Sequence, residues 1–254
     1  MFKRKPSTKE LEIAFYNRPC NFMKTEYKPI MPCVIYQTWY TKDLPPKMRE
    51  RVDLLRSQNP GFKHYLFDDN DCREFIKRHF RPDVLDAYDR LIPGAYKADL
   101  WRLCVLFING GVYVDIKFAC VNGFKLIELT ENNNFVKDRP KGCIYNALIT
   151  SVAGNPILFR AIRRIVFNVQ NKFYGYGPLC PTGPDLLGSV AIRNKFVGVN
   201  VAMRHYKHGG FIIYKNRFII STEYPEYRNE AAETNRKINK QHYLEAWEKR
   251  AIYA

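Results

Sequence analysis

Acidic residues are in short supply in this chain. Twenty-five Asp and Glu stand against 41 Lys and Arg, a formal charge of +16 over 254 residues. That imbalance favours an anionic partner, whether nucleic acid, an acidic membrane surface or a phosphorylated ligand, and does not choose among them. Metal-binding signatures are missing too. The cysteines, at positions 20, 33, 72, 104, 120, 143 and 180, form no CxxC pair, so a structural zinc site is not expected. Their odd count, with Cys104 in Leu-Cys-Val-Leu-Phe and Cys120 in Phe-Ala-Cys-Val, reads as buried thiols in a reducing compartment rather than a disulfide framework. No apolar run follows the basic start Met1-Phe-Lys-Arg-Lys5 that would serve as a signal peptide or anchor. A cytoplasmic location is therefore expected, with peripheral contact to an acidic membrane left open. Internal repeats and low-complexity linkers are also absent.

What is present suffices for one sizeable core: 46% hydrophobic residues, with 17 Tyr and 17 Phe. Residues 1–30 read as an arm or peripheral helix, and 31–254 as a single domain. Local patterns predict a strand at Cys33–Trp39, a helix at Lys47–Ser57, a turn at Asn59-Pro60-Gly61 and a strand at His64–Phe67. Asp69 is expected to cap a helix over Asp71–Phe80, with another over Asp83–Leu91. The spacing then predicts a helix over Ala95–Ile108, stopped by Asn109-Gly110-Gly111, and a buried strand from Val112 to Asp115 continuing toward Phe118. Downstream come a strand at Cys143–Ile149, a helix from Asn155 to Val169, a Gly/Pro-rich loop at 175–184 and a helix from Asp185. A hairpin of Phe211–Tyr214 and Phe218–Ile220 follows. Alternating strands and helices predict an α/β fold, a Rossmann-like and mainly parallel central sheet flanked by helices, with a small antiparallel hairpin toward the C-terminus. In such sheets ligands sit beyond the carboxyl ends of the strands, where Asp115 falls.

Asp99 and Arg102 are three apart on the predicted helix and share one face. They read either as a surface ion pair of little value or as a charged pair within an apolar helix that needs a partner. Asp115 reads either as a turn carboxylate or as a ligand for a divalent cation or a sugar hydroxyl.

The run Lys97-Ala-Asp-Leu-Trp-Arg-Leu-Cys-Val-Leu-Phe-Ile-Asn-Gly-Gly-Val-Tyr-Val-Asp-Ile-Lys117 resembles the sugar-binding core of glycosyltransferase family 32, with its D-x-x-R helix, Gly-Gly-x-Tyr turn and D-x-D. Met31-Pro-Cys-Val-Ile-Tyr-Gln-Thr-Trp39 is similar to that family's opening I-P-K-I-I-H-Q-T-W. Asn59-Pro60-Gly61 with Phe67-Asp-Asp69, Asn146-Ala-Leu-Ile, Thr182-Gly183-Pro184 and Gln241-His-Tyr-Leu-Glu-Ala-Trp247 resemble later blocks in the same order. Each motif is weak alone; their order is specific. The resemblance covers about residues 30 to 247.

The resemblance implies a GT-A fold and retaining transfer from a nucleotide-sugar, UDP- or GDP-linked, to a glycan or other hydroxyl acceptor, with no specific nucleic acid as partner. It implies that Trp39 stacks on the base, with Tyr36, Gln37, Thr38, Tyr113 and Asn146 around the donor. Asp99 and Arg102 would hold the donor sugar. Asp115 would meet the ribose and the region of a Mn²⁺ or Mg²⁺ ion, with His242 as a further metal ligand. His242 and Trp247 would close over the diphosphate, and Thr182, Gly183 and Pro184 would line the acceptor side. The chain departs from the pattern at Tyr36, where the family has histidine, at Ala246, where it has serine, and above all at Lys117, where it has the second acid of D-x-D. Three outcomes follow. Lys117 replaces the metal as counter-charge, the metal persists through Asp115 and His242 with Lys117 turned away, or the site binds without catalysing. Two rivals remain: a retained nucleotide-sugar-binding module, and a basic nucleic-acid binder using Tyr174, Tyr176 and Tyr206.

Overall fold

The computed structural model describes residues 6–21, 24–138, 142–193, 201–206, 209–238 and 240–254, with the backbone only at 193, 201–206 and 209. After helix α1 (Thr8–Tyr16), the chain alternates strand and helix. β1 (Val34–Thr38), α2 (Pro46–Gln58), β2 (Lys63–Phe67), α3 (Asp69–His79), α4 (Pro82–Arg90), α5 (Gly94–Asn109) and β3 (Gly111–Val114) make the first half. β4 (Ala119–Cys120), a 3₁₀ turn (Leu126–Leu129), β5 (Asn134–Lys137), β6 (Ile144–Ser151), α6 (Pro156–Gln170) and α7 (Pro184–Arg193) follow. β7 (Val201–Tyr206), β8 (Gly209–Tyr214), β9 (Arg217–Ser221), α8 (Tyr227–Lys237) and α9 (Tyr243–Glu248) end it.

These strands form one sheet in the order β2-β1-β3-β6-β5-β7-β8-β9-β4. β1 runs parallel to both β2 and β3, which places α2 through α5 as crossovers on the sheet faces. The expected α/β architecture and the C-terminal hairpin are borne out. Beyond β3 the ladders are mostly antiparallel. The links from β5 to β6 and from β7 to β8 are too short to carry a parallel crossover. The β8–β9 hairpin closes on Lys215 and Asn216, both with positive φ (45° and 57°), the twist-matched geometry of a two-residue turn. Residues before β1 lie along the sheet's far edge: Tyr16 packs on Phe218 with ring centroids 5.5 Å apart, and the buried Cys20 donates its backbone N–H to the Asn122 carbonyl (2.7 Å). Every cysteine is a free thiol, with Cys104 and Cys120 buried as expected.

Two local expectations are corrected. Asp68, not Asp69, caps α3: its carboxylate accepts from the Asp71 N–H (2.8 Å), and the Asp71 carboxylate accepts in return from the Asp68 N–H (3.1 Å). That reciprocal box needs an acid three residues on, which Asp68 has and which fixes the helix start one residue earlier. The strand does not continue from Asp115 toward Phe118. Phe118 N–H donates to the Asp115 carbonyl (3.0 Å), so the chain turns there and the Asp115 side chain stands off the end of β3.

α5 feeds β3 with no loop between them. Its residues from Asp99 to Leu106 are all buried, because the helix runs through the interior between sheet and outer helices. Gly110 ends it at φ 67°, ψ −175°, a region almost reserved for glycine. A Cβ there would stand 2.8 Å from the Ala153 backbone nitrogen. Gly110→Ala is expected to lower the unfolding free energy by about 2 kcal/mol or more. Gly61→Ala, where a Cβ meets nothing within 4 Å, should change it by less than about 0.5 kcal/mol. Urea unfolding midpoints of the two variants check the contrast.

Candidate active site

At the carboxyl end of β3, α5 and β6 meet. Asp99 on α5 is buried, and both carboxylate oxygens are taken: Oδ1 accepts from Asn146 Nδ2 of β6 (3.2 Å) and Oδ2 from Thr182 Oγ1 (2.8 Å). One turn on, Arg102 places Nη1 3.4 Å from Asp99 Oδ1 and Nη2 3.7 Å from Asp115 Oδ1. Its Nε donates to the Ala98 carbonyl, and its guanidinium lies 4.5 Å above the Tyr113 ring. Tyr113 in turn donates its hydroxyl to Asp115 Oδ1 (2.9 Å). Lys117 Nζ approaches Asp115 Oδ2 at 4.0 Å and sits 4.8 Å from the centre of the Tyr227 ring. Two carboxylates and two cations thus interlock where a strand ends.

The electrostatics follow from depth. Burial pushes the Asp99 carboxyl up, against the pull of Arg102, Thr182 and Asn146. Burial also works against charge on Arg102, but Tyr113, Asp99 and Asp115 outweigh it and hold the guanidinium above its ordinary value. A fixed arginine charge beside a costly buried carboxylate is an arrangement that stability alone rarely favours. Asn146 Oδ1 is buried with no hydrogen-bond partner, and so is Trp39 Nε1. Asp115 is the more open carboxylate, its side chain 24% exposed against 11% for Asp99.

The structure gathers Asp99, Arg102, Tyr113, Asp115, Lys117, Asn146 and Thr182 into this cluster. Gly183 adjoins it: a Cβ there would lie 3.6 Å from Asp99 Oδ2. Pro184 opens α7 one residue further. Trp39 packs against a small apolar cluster of Leu44, Met48, Val52 and Ile116, the last in the turn between Asp115 and Lys117. Gln37 is fully buried behind the site, donating to the Asp115 carbonyl (3.2 Å) and pairing with His64 Nε2 (2.7 Å). Other expected donor residues hold partners of their own. Tyr36 points to the opposite face of β1 from Gln37 and packs on Tyr65 and Phe67. Thr38 donates to the Phe67 carbonyl (3.0 Å) and is nearly buried. Trp247 gives its indole N–H to the Tyr174 carbonyl (2.9 Å) and packs on the core. His242 is exposed and caps α9, its Nδ1 accepting from Leu244 N–H (3.4 Å).

Sequence reasoning missed several neighbours. Tyr243, directly after His242, has its phenol pushed up by burial first and then by Asp99, against the pull of Lys117, so it senses both charges. Tyr145 and Tyr227 likewise sense Asp115. Arg51 on α2 donates Nε to the Lys117 carbonyl (3.0 Å) and reaches Ser221 on β9, pinning the Lys117 turn. No motif signals Arg51; the abundance of tyrosine was the only hint of the others.

A divalent ion such as Mn²⁺ or Mg²⁺ takes about six oxygens in its first shell. Here the described acids offer Asp115, with the Lys117 ammonium already facing it. Among the described residues no three His, Cys, Asp or Glu side chains are grouped to hold a metal. Asp115 is the one carboxylate such an ion would take from the rim, and its remaining oxygens would have to come from a diphosphate and water.

A helix and a strand that bring an Asp/Arg pair and a strand-end carboxylate together at one end of a Rossmann-like sheet are the arrangement expected of a GT-A fold. Comparison with known proteins agrees. Residues 45–136 match the family described as glycosyltransferase sugar-binding region containing DXD motif, so the resemblance expected from the motifs is borne out. An inositol phosphoceramide mannosyltransferase of Schizosaccharomyces pombe is 29% identical over 156 residues, 59% of this chain and 43% of that protein. An initiation-specific alpha-1,6-mannosyltransferase of Candida albicans is 36% identical over 101 residues, 37% of this chain and 26% of that one. An uncharacterized glycosyltransferase of Acanthamoeba polyphaga mimivirus is 33% identical over 93 residues, 36% and 37%. The chain spans less than half the length of each of these relatives. Among solved structures, the PaToxG glycosyltransferase superposes with a TM-score of 0.53 at 18% identity, covering 73% of this chain and 74% of that one, which establishes likeness of fold.

The His64–Gln37–Asp115 chain makes the site sensitive to acid. Burial, with Arg56 nearby, holds the His64 imidazole below its ordinary value, so the unfolded chain takes up a proton first. Stability present above about pH 6.5 is lost as the pH falls from there toward the folded-state value. His64→Gln, which keeps a donor toward Gln37, is expected to flatten that acid slope. Chemical denaturation at neutral and mildly acidic pH measures it.

Proposed function

We propose that this chain transfers a sugar from a nucleotide-sugar to a hydroxyl acceptor with retention of configuration, and that the Lys117 ammonium, rather than a bound cation, balances the departing diphosphate. The observation that carries this reading is the Lys117 geometry: the ammonium is turned in over Tyr227 and faces Asp115 at 4.0 Å, at the end of β3. Charge held in place before the reaction stabilises a leaving anion without reorganisation. Asp99, fixed on three sides, and Arg102 position the donor sugar. Asn146 offers its unpartnered Oδ1 to a hydroxyl after a small side-chain shift. Trp39 lies beside the turn as a platform for the base.

In the step proposed, the bond from the anomeric carbon to the diphosphate oxygen breaks and the acceptor oxygen bonds to that carbon on the same face. The acceptor proton passes to the departing phosphate oxygen, so no separate base is needed. UDP- and GDP-linked donors both suit this chemistry. The relatives named for mannosyl transfer, one of them to inositol phosphoceramide, favour a glycan or lipid-borne hydroxyl as acceptor. Thr182, Gly183 and Pro184 form the acceptor side. Residues 31–254 are taken as the catalytic domain, with 1–30 as an accessory arm, acting at the cytoplasmic side.

Wild-type donor turnover is expected to persist in EDTA, and Lys117→Asp is expected to make turnover rise on adding Mn²⁺. Complete loss of wild-type turnover in EDTA would sink the charge-replacement idea. Asp115→Ala should reduce turnover by roughly 100-fold or more, the scale seen when one charge-organising group leaves a reacting centre, while circular dichroism shows the chain still folded. A wild type that binds UDP or GDP but turns over no donor would leave a binding module instead.

A further inference from the structure

α6 has two unlike faces. Leu158, Ile162, Ile165 and Val169 are buried against the core. The outer face carries Phe159, 48% exposed, and Phe167, 53% exposed, with Arg160, Arg163 and Arg164 between them. The helix holds no Asp or Glu. Lys172 and Phe173, the latter 44% exposed, extend the same composition past its end. Arg163 is held by Asp83 of α4 at 2.5 Å, Arg164 lies 5.6 Å over the Phe167 ring, and Phe159 packs one side on Phe107. Exposed phenyl rings cost hydration, and arginines interleaved among them are the composition of an interfacial helix.

We infer that this face of α6 docks on the surface of an anionic lipid bilayer. The rings enter the headgroup–acyl boundary while the arginines meet lipid phosphates and carboxylates, in keeping with the +16 charge of the chain. A second copy fits poorly, since a two-fold contact would set arginines against arginines. Single-stranded nucleic acid fits poorly as well. It is held in a groove with rings spaced for successive bases, whereas Phe159 and Phe167 stand on one helix crest about 12 Å apart. The inference is independent of the transferase reading, yet it bears on it. Asn168 near the end of α6 donates to the Pro181 carbonyl (2.9 Å), next to Thr182, which holds Asp99. The docking helix is thereby tied, from its buried side, to the loop of the buried cluster.

The test is co-sedimentation of the full chain with phosphatidylcholine vesicles, with and without phosphatidylserine. Binding is expected only with phosphatidylserine, weakening steeply with salt. Phe159→Ser with Phe167→Ser, and separately Arg160→Glu with Arg164→Glu, should each weaken it by roughly tenfold or more with circular dichroism unchanged. Should either pair fail to fold, Phe167→Ser alone makes the comparison. Absence of wild-type binding, or variants that bind like wild type, overturns the inference. So does a result in which the same variants lose self-association or polyuridine binding while vesicle binding is untouched.

Discussion

The buried Asp99 carboxylate is the constraint on which the rest of the site depends. Neither of its oxygens is free: β6 supplies Asn146, the loop before α7 supplies Thr182, and its own helix supplies Arg102. Removing a partner from a buried charge of this kind costs about 3–5 kcal/mol, so three separate chain segments are held together by one group. Arg102 passes the constraint to β3 through Tyr113 and Asp115. The sheet, the helix and the Gly/Pro-rich loop therefore share a common fixed point.

From that point the order relaxes outward. Asp115 is fixed by its backbone, with its N–H donating to the Ala147 carbonyl and its carbonyl accepting from Gln37, yet its side chain is partly open. Lys117 is held from behind by Arg51 through its carbonyl, which leaves the ammonium free to be placed by Asp115 and Tyr227. A rigid base with a half-open rim suits a site in which the reacting charge appears at the rim. The phenols of Tyr145 and Tyr227, raised first by burial, also sense Asp115, and that of Tyr243 senses Asp99 and Lys117.

Replacement of an acid by Lys117 changes the sign of the rim without disturbing the base. The change is local because the second position of the former acid pair lies in the turn beyond β3, where no ladder bond depends on its side chain. Ala246 and Tyr36 mark two further departures from the family pattern, and both are buried and packed. Such positions change by volume and polarity, whereas Lys117 changes the chemistry available to an anion.

The sequence by itself determined the α5–β3 unit and the Asp99, Arg102 and Asp115 set, because these rest on contiguous spacing: a helical period, a Gly-Gly stop and an apolar strand; the family likeness came from motifs in order along the chain. It also determined the C-terminal hairpin from its alternation. Only the tertiary structure decided which distant residues join them. Asn146, Thr182, Gln37 and Tyr113 fell among expected site residues, but their division into direct partners of Asp99 and supports behind Asp115 depends on which strand faces which. Tyr36, Thr38, Trp247 and His242 matched motifs equally well, yet each has its side chain engaged with other partners, because motif order records chain position and says nothing of which face a side chain takes. Arg51 had no signal at all, since its role lies in reaching a backbone carbonyl 66 positions away.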